Sequence, residues 1–169
     1  MILVVCALRK EFVSKKHSVL YTGIGKLNAS HFLTKFLSEN KKIKTVINYG
    51  TAGGLKDNKN HLLECGSFYN VGFLNPLVLD QQEFIITNPT LNSICSVNEF
   101  CTNTKNLKKY NCVDMEAYAL AYVCKKMNVL FKCYKYITDI VGEEEQYNNW
   151  EQNINNGSEL FKKELNTYA

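Results

Sequence analysis

Short apolar runs rich in β-branched residues alternate along the chain with stretches whose apolar positions recur at helical spacing. Ile2–Ala7 is continuously apolar, which predicts a strand buried on both faces, and Leu8-Arg9-Lys10-Glu11-Phe12 follows at its C-terminal end. Ser18–Thr22 predicts a second short strand. Gly23-Ile24-Gly25-Lys26 then turns into a helix over 27–39, with Ala29, Phe32, Leu33, Phe36 and Leu37 on its inner face. Ile43–Asn48 predicts a third buried strand that runs into Tyr49-Gly50-Thr51-Ala52-Gly53-Gly54-Leu55. Those small residues either let a backbone approach something closely or mark a tight strand-to-loop turn. Further strands are expected over 66–73 and 83–87, joined by a connection over 74–82 that contains Pro76. A turn over 88–92 and a short strand through Ile94-Cys95-Ser96 come next. Residues 102–109 are polar and lysine-rich, which predicts exposure.

The stretch 111–128, NCVDMEAYALAYVCKKMN, predicts a helix that begins at Asp114 and Glu116 and buries a stripe of Ala117, Leu120, Ala121 and Cys124. Leu130–Thr138 predicts a strand closed by Asp139, residues 141–149 an acidic loop, and Trp150–Leu165 a last helix with apolar spacing at Trp150, Ile154, Leu160 and Phe161. Strands alternating with helices define an α/β class with a mainly parallel or mixed central sheet, here one domain over 1–169.

Composition narrows the function. The net charge is +4, yet Arg9 is the only arginine. Arginine is the usual residue for bidentate contacts to phosphate and guanine, so a nucleic-acid reader is excluded as a class. The lysine pairs at 15–16, 41–42, 108–109, 125–126 and 162–163 are scattered, as on solvated faces. Seven cysteines with no CxxC spacing, several of them in apolar segments (Cys6, Cys124, Cys133), point to free buried thiols and a reducing cytoplasm. His17, His31 and His61 do not pair with cysteines at zinc spacing, so neither a metal nor a cofactor is expected. The first apolar run is too short for a signal peptide, and no window approaches a membrane span.

Candidate chemistry concentrates at element ends. Carboxylates at a helix start are favoured by the dipole and by free N–H groups, so Asp114 and Glu116 read as caps on that stretch alone. Glu11 and Asp139 both follow strands, where ligands gather in open α/β sheets. The glycine turn entering the first helix is a ready anion or hydroxyl site.

Taken in order, ALRKEF, TGIGKLNAS, INYGTAGGL, ICSVNEF, VDMEAYALAYVCKKMNV and KYITD resemble the nucleoside phosphorylase/nucleosidase superfamily, and most closely the 5′-methylthioadenosine/S-adenosylhomocysteine nucleosidases. The resemblance runs from Met1 to about Gly142 and more loosely through the last helix. It implies a three-layer αβα sandwich around a twisted mixed central sheet, in a shortened form, and hydrolysis of the N-glycosidic bond of a purine nucleoside. It further implies that Glu11 helps activate the attacking water and that Asp139 donates toward purine N7. Met115 and Glu116 would lie under the ribose, with Thr51 and Gly53 in the small-residue segment that lines the ribose and water pocket. Phe100 would stack on the base, with Ser96 in the same base-binding segment. The partner implied is a small-molecule purine nucleoside, and the assembly a homodimer.

The roles suit the chemistry. Breaking a ribosyl C–N bond builds positive charge on the sugar and negative charge on the base, so one acid must be protonated while another stays ionised. Phosphorylases of the superfamily hold phosphate with cationic side chains, commonly an arginine on the strand entering the glycine segment. Here that strand reads Val46-Ile47-Asn48-Tyr49, and Arg9, with Lys26 as a partial substitute, is the remaining candidate. Hydrolysis is therefore the expectation, with phosphorolysis and a non-catalytic nucleoside-binding remnant of the fold as alternatives. The chain departs from the family pattern at Val97 and Asn98, the glycine and aspartate positions of an SGDxF-like segment, and at Thr138 and Val141 of an SDxA-type turn, which keeps only its aspartate, Asp139. Its missing length falls between Gly66 and Ser96, where the family carries a substrate-covering loop and part of its dimer contact. The walls around the 5′ substituent are the part most altered.

Overall fold

The computed structural model describes residues 1–72 and 84–168. The connection expected over 74–82 lies outside them, as do Phe73 and Glu83 at the ends of two expected strands. The elements, in order, are β1 (Ile2–Cys6), β2 (Val19–Tyr21), α1 (Lys26–Glu39), β3 (Thr45–Gly54), β4 (Leu62–Asn70), β5 (Phe84–Ile86), β6 (Asn92–Ser96), β7 (Cys112–Asp114), α2 (Ala117–Lys126), β8 (Leu130–Ile140), α3 (Gln146–Asn153) and α4 (Ser158–Asn166). The strands form one mixed sheet in the order β2-β1-β3-β7-β6-β4-β5, with β8 paired to both β3 and β4. The pairings β3–β8, β8–β4, β4–β6, β6–β7 and β7–β3 close a ring, so the middle of the sheet curls into a small barrel. The αβα class expected from the sequence is met, with this closure added.

Helices cover both faces. Ala29, Leu33 and Leu37 of α1 and the Ala117, Leu120, Ala121 and Cys124 stripe of α2 join Leu3, Val5, Val46, Phe68, Ile94 and Ile137 in one core. Phe161 and Leu165 of α4 join Phe12, Tyr49, Tyr134 and Tyr136 in a second core on the opposite face. Phe32, expected on the inner side of α1, is 43% exposed. Among the described residues no helix is long and apolar enough to cross a membrane.

Three expectations are corrected. The glycine segment 50–54 is not a turn: β3 runs straight through it, pairing with β8 as far as Gly54↔Ile140, with a bulge at Ala52/Gly53. The glycines are there for close packing. A Cβ on Gly54 would meet Asn58 Oδ1 at 2.4 Å, and one on Gly53 would meet Val141 Cγ2 at 2.9 Å. The supposed acidic loop 141–149 ends early, because α3 already begins at Gln146. A short break at 154–157 separates it from α4, where one long helix was expected.

Phe161 stacks on Tyr49 at 4.4 Å between centroids and meets Phe12 edge-on at 5.0 Å. Fully buried aromatic truncations typically cost about 3–5 kcal/mol. Phe161→Ala is expected to lower unfolding free energy by that amount in urea titrations, with β3 loosened behind the site.

Candidate active site

Seven of the eight side chains singled out by the sequence line one cavity of about 370 Å³: Glu11, Thr51, Gly53, Phe100, Met115, Glu116 and Asp139. They arrive from separate elements. Glu11 follows β1, Thr51 and Gly53 lie near the C-terminal end of β3, Phe100 follows β6, Met115 and Glu116 follow β7, and Asp139 is the penultimate residue of β8. The cavity thus opens where several strands end.

Glu11 is buried and held from three sides. Its Oε1 accepts from the Thr51 N–H at 2.9 Å and the Thr51 hydroxyl at 3.1 Å, and its Oε2 from the Leu8 N–H at 2.9 Å. Each carboxylate oxygen carries two lone pairs, so capacity remains for a water. The Thr51 hydroxyl also accepts from Trp150 Nε1 at 3.2 Å, which ties α3 to this corner.

Glu116 does not cap its own helix. Its Oε1 accepts from the Gly25 N–H at 2.8 Å, filling the anion site at the start of α1 with a side chain from 91 residues away. Gly25 has φ 97°, a left-handed conformation suited to glycine. Burial pushes the Glu116 carboxyl up, the neighbouring Asp114 charge adds to this, and Lys135 and the Gly25 N–H pull back, leaving it at about 7. Asp114 is the cap: its Oδ2 accepts from the Ala117 N–H at 2.8 Å and meets Lys135 Nζ at 2.9 Å.

Lys135 is buried on β8, pointing toward Gly50, where a Cβ would stand 3.2 Å from both Lys135 Nζ and Glu11 Oε1. Burial works against its ammonium, but Asp114, Cys133 and Glu116 outweigh it and hold its pKa well above the ordinary lysine value. The sequence reading missed it as one lysine among many. The signal was strand parity: Lys132 and Lys135 sit on opposite faces, so both cannot point to solvent.

At the far end, Asp139 is buried and accepts from Thr138 Oγ1 at 2.6 Å on Oδ1 and from Gln146 Nε2 at 2.9 Å on Oδ2. Burial raises its pKa against those two donors. Phe100 meets Tyr147 and Trp150 edge-on at 5.8 and 6.1 Å, an aromatic group along one wall. Gln146, Tyr147 and Trp150 were not singled out, since their segment read as loop and last helix.

Ser96 is the exception. It is fully buried; its hydroxyl donates to Asp114 Oδ1 at 2.5 Å and accepts from the Tyr118 N–H at 2.9 Å. Both capacities are used behind the cavity wall, so its side chain does not reach a base. Arg9 is also elsewhere, exposed and lying over the Tyr21 ring at 4.7 Å.

Residues 93–169 match the family model described as Phosphorylase superfamily. A variant of the Helicobacter pylori 5′-methylthioadenosine/S-adenosylhomocysteine nucleosidase with 5′-methylthioadenosine in its active site is 19% identical, with a TM-score of 0.81 over 99% of this chain and 98% of that one. The corresponding nucleosidase from Colwellia psychrerythraea in complex with adenine is 16% identical, with a TM-score of 0.72 over 90% of this chain and 87% of that one. A futalosine hydrolase mutant of Helicobacter pylori is 20% identical, with a TM-score of 0.76 over 92% of each chain. The chain therefore has the fold of the nucleoside phosphorylase/nucleosidase superfamily.

Glu116 carries a test of the site's electrostatics. With its folded value near 7, above the ordinary 4.5, the native state binds more protons than the unfolded chain between those values, so this group's contribution to stability falls as pH rises through that window. Glu116→Gln is expected to raise unfolding free energy at about pH 8 and to leave it unchanged below about pH 4, read by urea titration at the two pH values.

Proposed function

We propose that the protein hydrolyses the N-glycosidic bond of a purine nucleoside of the methylthioadenosine or adenosylhomocysteine kind, releasing free base and sugar. The observation that carries the reading is the cavity wall. Glu11, Glu99, Asp114, Glu116 and Asp139 are among its lining residues, and no lysine or arginine is, among the described residues. The segment 73–83 contains neither residue type in its sequence.

Such a wall suits a sugar cation and disfavours a phosphate nucleophile. As the C–N bond breaks, positive charge develops on the ribose, and carboxylates fixed in a poorly solvated cavity stabilise it more than they would in water. Glu116 and Met115 hold the sugar, and Glu11, oriented by Thr51 and Leu8, takes a proton from the attacking water. Asp139, whose pKa is raised by burial, supplies the proton for the departing base. Phe100 covers the base with Tyr147 and Trp150 beside it. Lys26, a partial candidate for phosphate, instead donates to Asn70 Oδ1 at 2.6 Å and to the Val71 and Ser96 carbonyls.

Incubation with purine nucleosides is expected to release free base in phosphate-free buffer, with ribose and not ribose 1-phosphate as co-product. Strict phosphate dependence would overturn hydrolysis, and tight adenine binding without any release would leave only a binding protein. Asp139→Asn and Glu11→Gln should each lower turnover by at least about 10²-fold while preserving the fold. Phe100→Ala should raise KM more than it lowers kcat; an unchanged KM counts against stacking.

A further inference from the structure

Gln146 lines the cavity, is buried, and has no part in the chemistry above. Its Oε1 accepts from the Gly142 N–H at 3.0 Å, and its Nε2 donates to the Cys101 carbonyl at 2.7 Å and to Asp139 Oδ2 at 2.9 Å. This amide has only one orientation. A backbone N–H can only donate and a backbone carbonyl can only accept, so a flipped amide would set like against like at both ends. Asp139 Oδ2 therefore faces a donor that cannot reverse. The other partner, Thr138 Oγ1 on Oδ1, is a hydroxyl that can turn to donate or accept.

We propose that Gln146 is the positioning residue for the acid: it clamps Asp139 to the backbone at Cys101, beside the base-covering Phe100, and confines the transferable proton to Oδ1. The inference rests on Asp139 acting as the acid. It joins the proton donor and the base-covering segment into one unit, so that a purine placed by Phe100 meets the proton at a set position. The other groups facing Asp139 are Thr138 on its own strand, Lys59 from the loop after β3, Glu143 in the turn before α3, and the Cys101 thiol. None of these bridges the acid to the 97–101 segment as Gln146 does.

Two variants test it. Gln146→Ala removes both donors. It should lower kcat about tenfold to hundredfold at every pH while KM changes less than about threefold, and the alkaline limb of the rate profile should move to higher pH because an ionised Asp139 has lost a donor. Gln146→Glu keeps the shape. Near about pH 8 it should be as impaired as the alanine variant, and toward about pH 5, where its carboxyl regains a hydrogen, it should recover most of the loss. A ¹³C NMR titration of the Asp139 carboxyl in unliganded protein gives a readout without turnover, and the Asp139 pKa should be higher in both variants than in the parent. An equal, pH-independent loss in both variants with an unmoved Asp139 titration makes Gln146 a packing residue and overturns the proposal, as does full activity in both. If instead Asp139→Asn releases base at the parental rate, the acid role itself fails, while the NMR titration still decides whether Gln146 controls the carboxyl.

Discussion

The structure depends on one ion pair in its interior, Lys135 with Asp114 at 2.9 Å, each side chain 1% exposed. Removing two charges from water is expensive, and such a pair is often no better for stability than apolar residues of the same size. Its value here lies in what it connects. Asp114 simultaneously caps α2 through Ala117 and takes the Ser96 hydroxyl, so β6, β7, β8 and α2 meet at one carboxylate. Among the described residues Lys135 is the only buried lysine or arginine, and it stands within reach of the field of Glu116. Without it this end of the cavity would hold uncompensated buried acids, which burial drives toward the protonated form.

The two ends of the cavity are thereby given different electrical characters. At the Glu11–Glu116 end, carboxylates are packed against a buried cation and backbone N–H groups, yet burial still holds the Glu116 carboxyl at about 7. At the other end, Asp139 has hydroxyl and amide partners, and burial, the largest influence on its carboxyl, raises its pKa.

Much of this was legible in the sequence, because strands, helices and their ends follow apolar periodicity. The seven side chains that converge were found through ordered segments whose spacing is more specific than any one motif. What escaped was set by tertiary contact. Lys135 reads as a surface lysine until β3 is seen to offer a Cβ-free gap at Gly50. Gln146 follows Glu143-Glu144-Glu145 in a polar run, yet it opens α3 and is buried against Asp139 and the Cys101 carbonyl. Ser96 was assigned to the base because of its segment, yet strand parity turns its hydroxyl inward to Asp114. The glycines of β3 read equally as a close-approach segment and as a turn, because local propensity cannot report which neighbouring side chains need their space.

Strand β3 has one further consequence, for how the chain reaches this shape. Thr45–Gly54 lies between β1 and β8 and also bonds β7 at its tip, so most of its partners are made far later along the polypeptide. During synthesis the edge of β3 that pairs with β8 waits uncovered until Leu130–Ile140 has emerged. Closing that ring is a late, long-range step of the kind that slows folding and leaves strand edges open to other chains. The same closure brings Asp139 beside Gly53, so the cavity these residues line can exist only once β8 has been threaded into place.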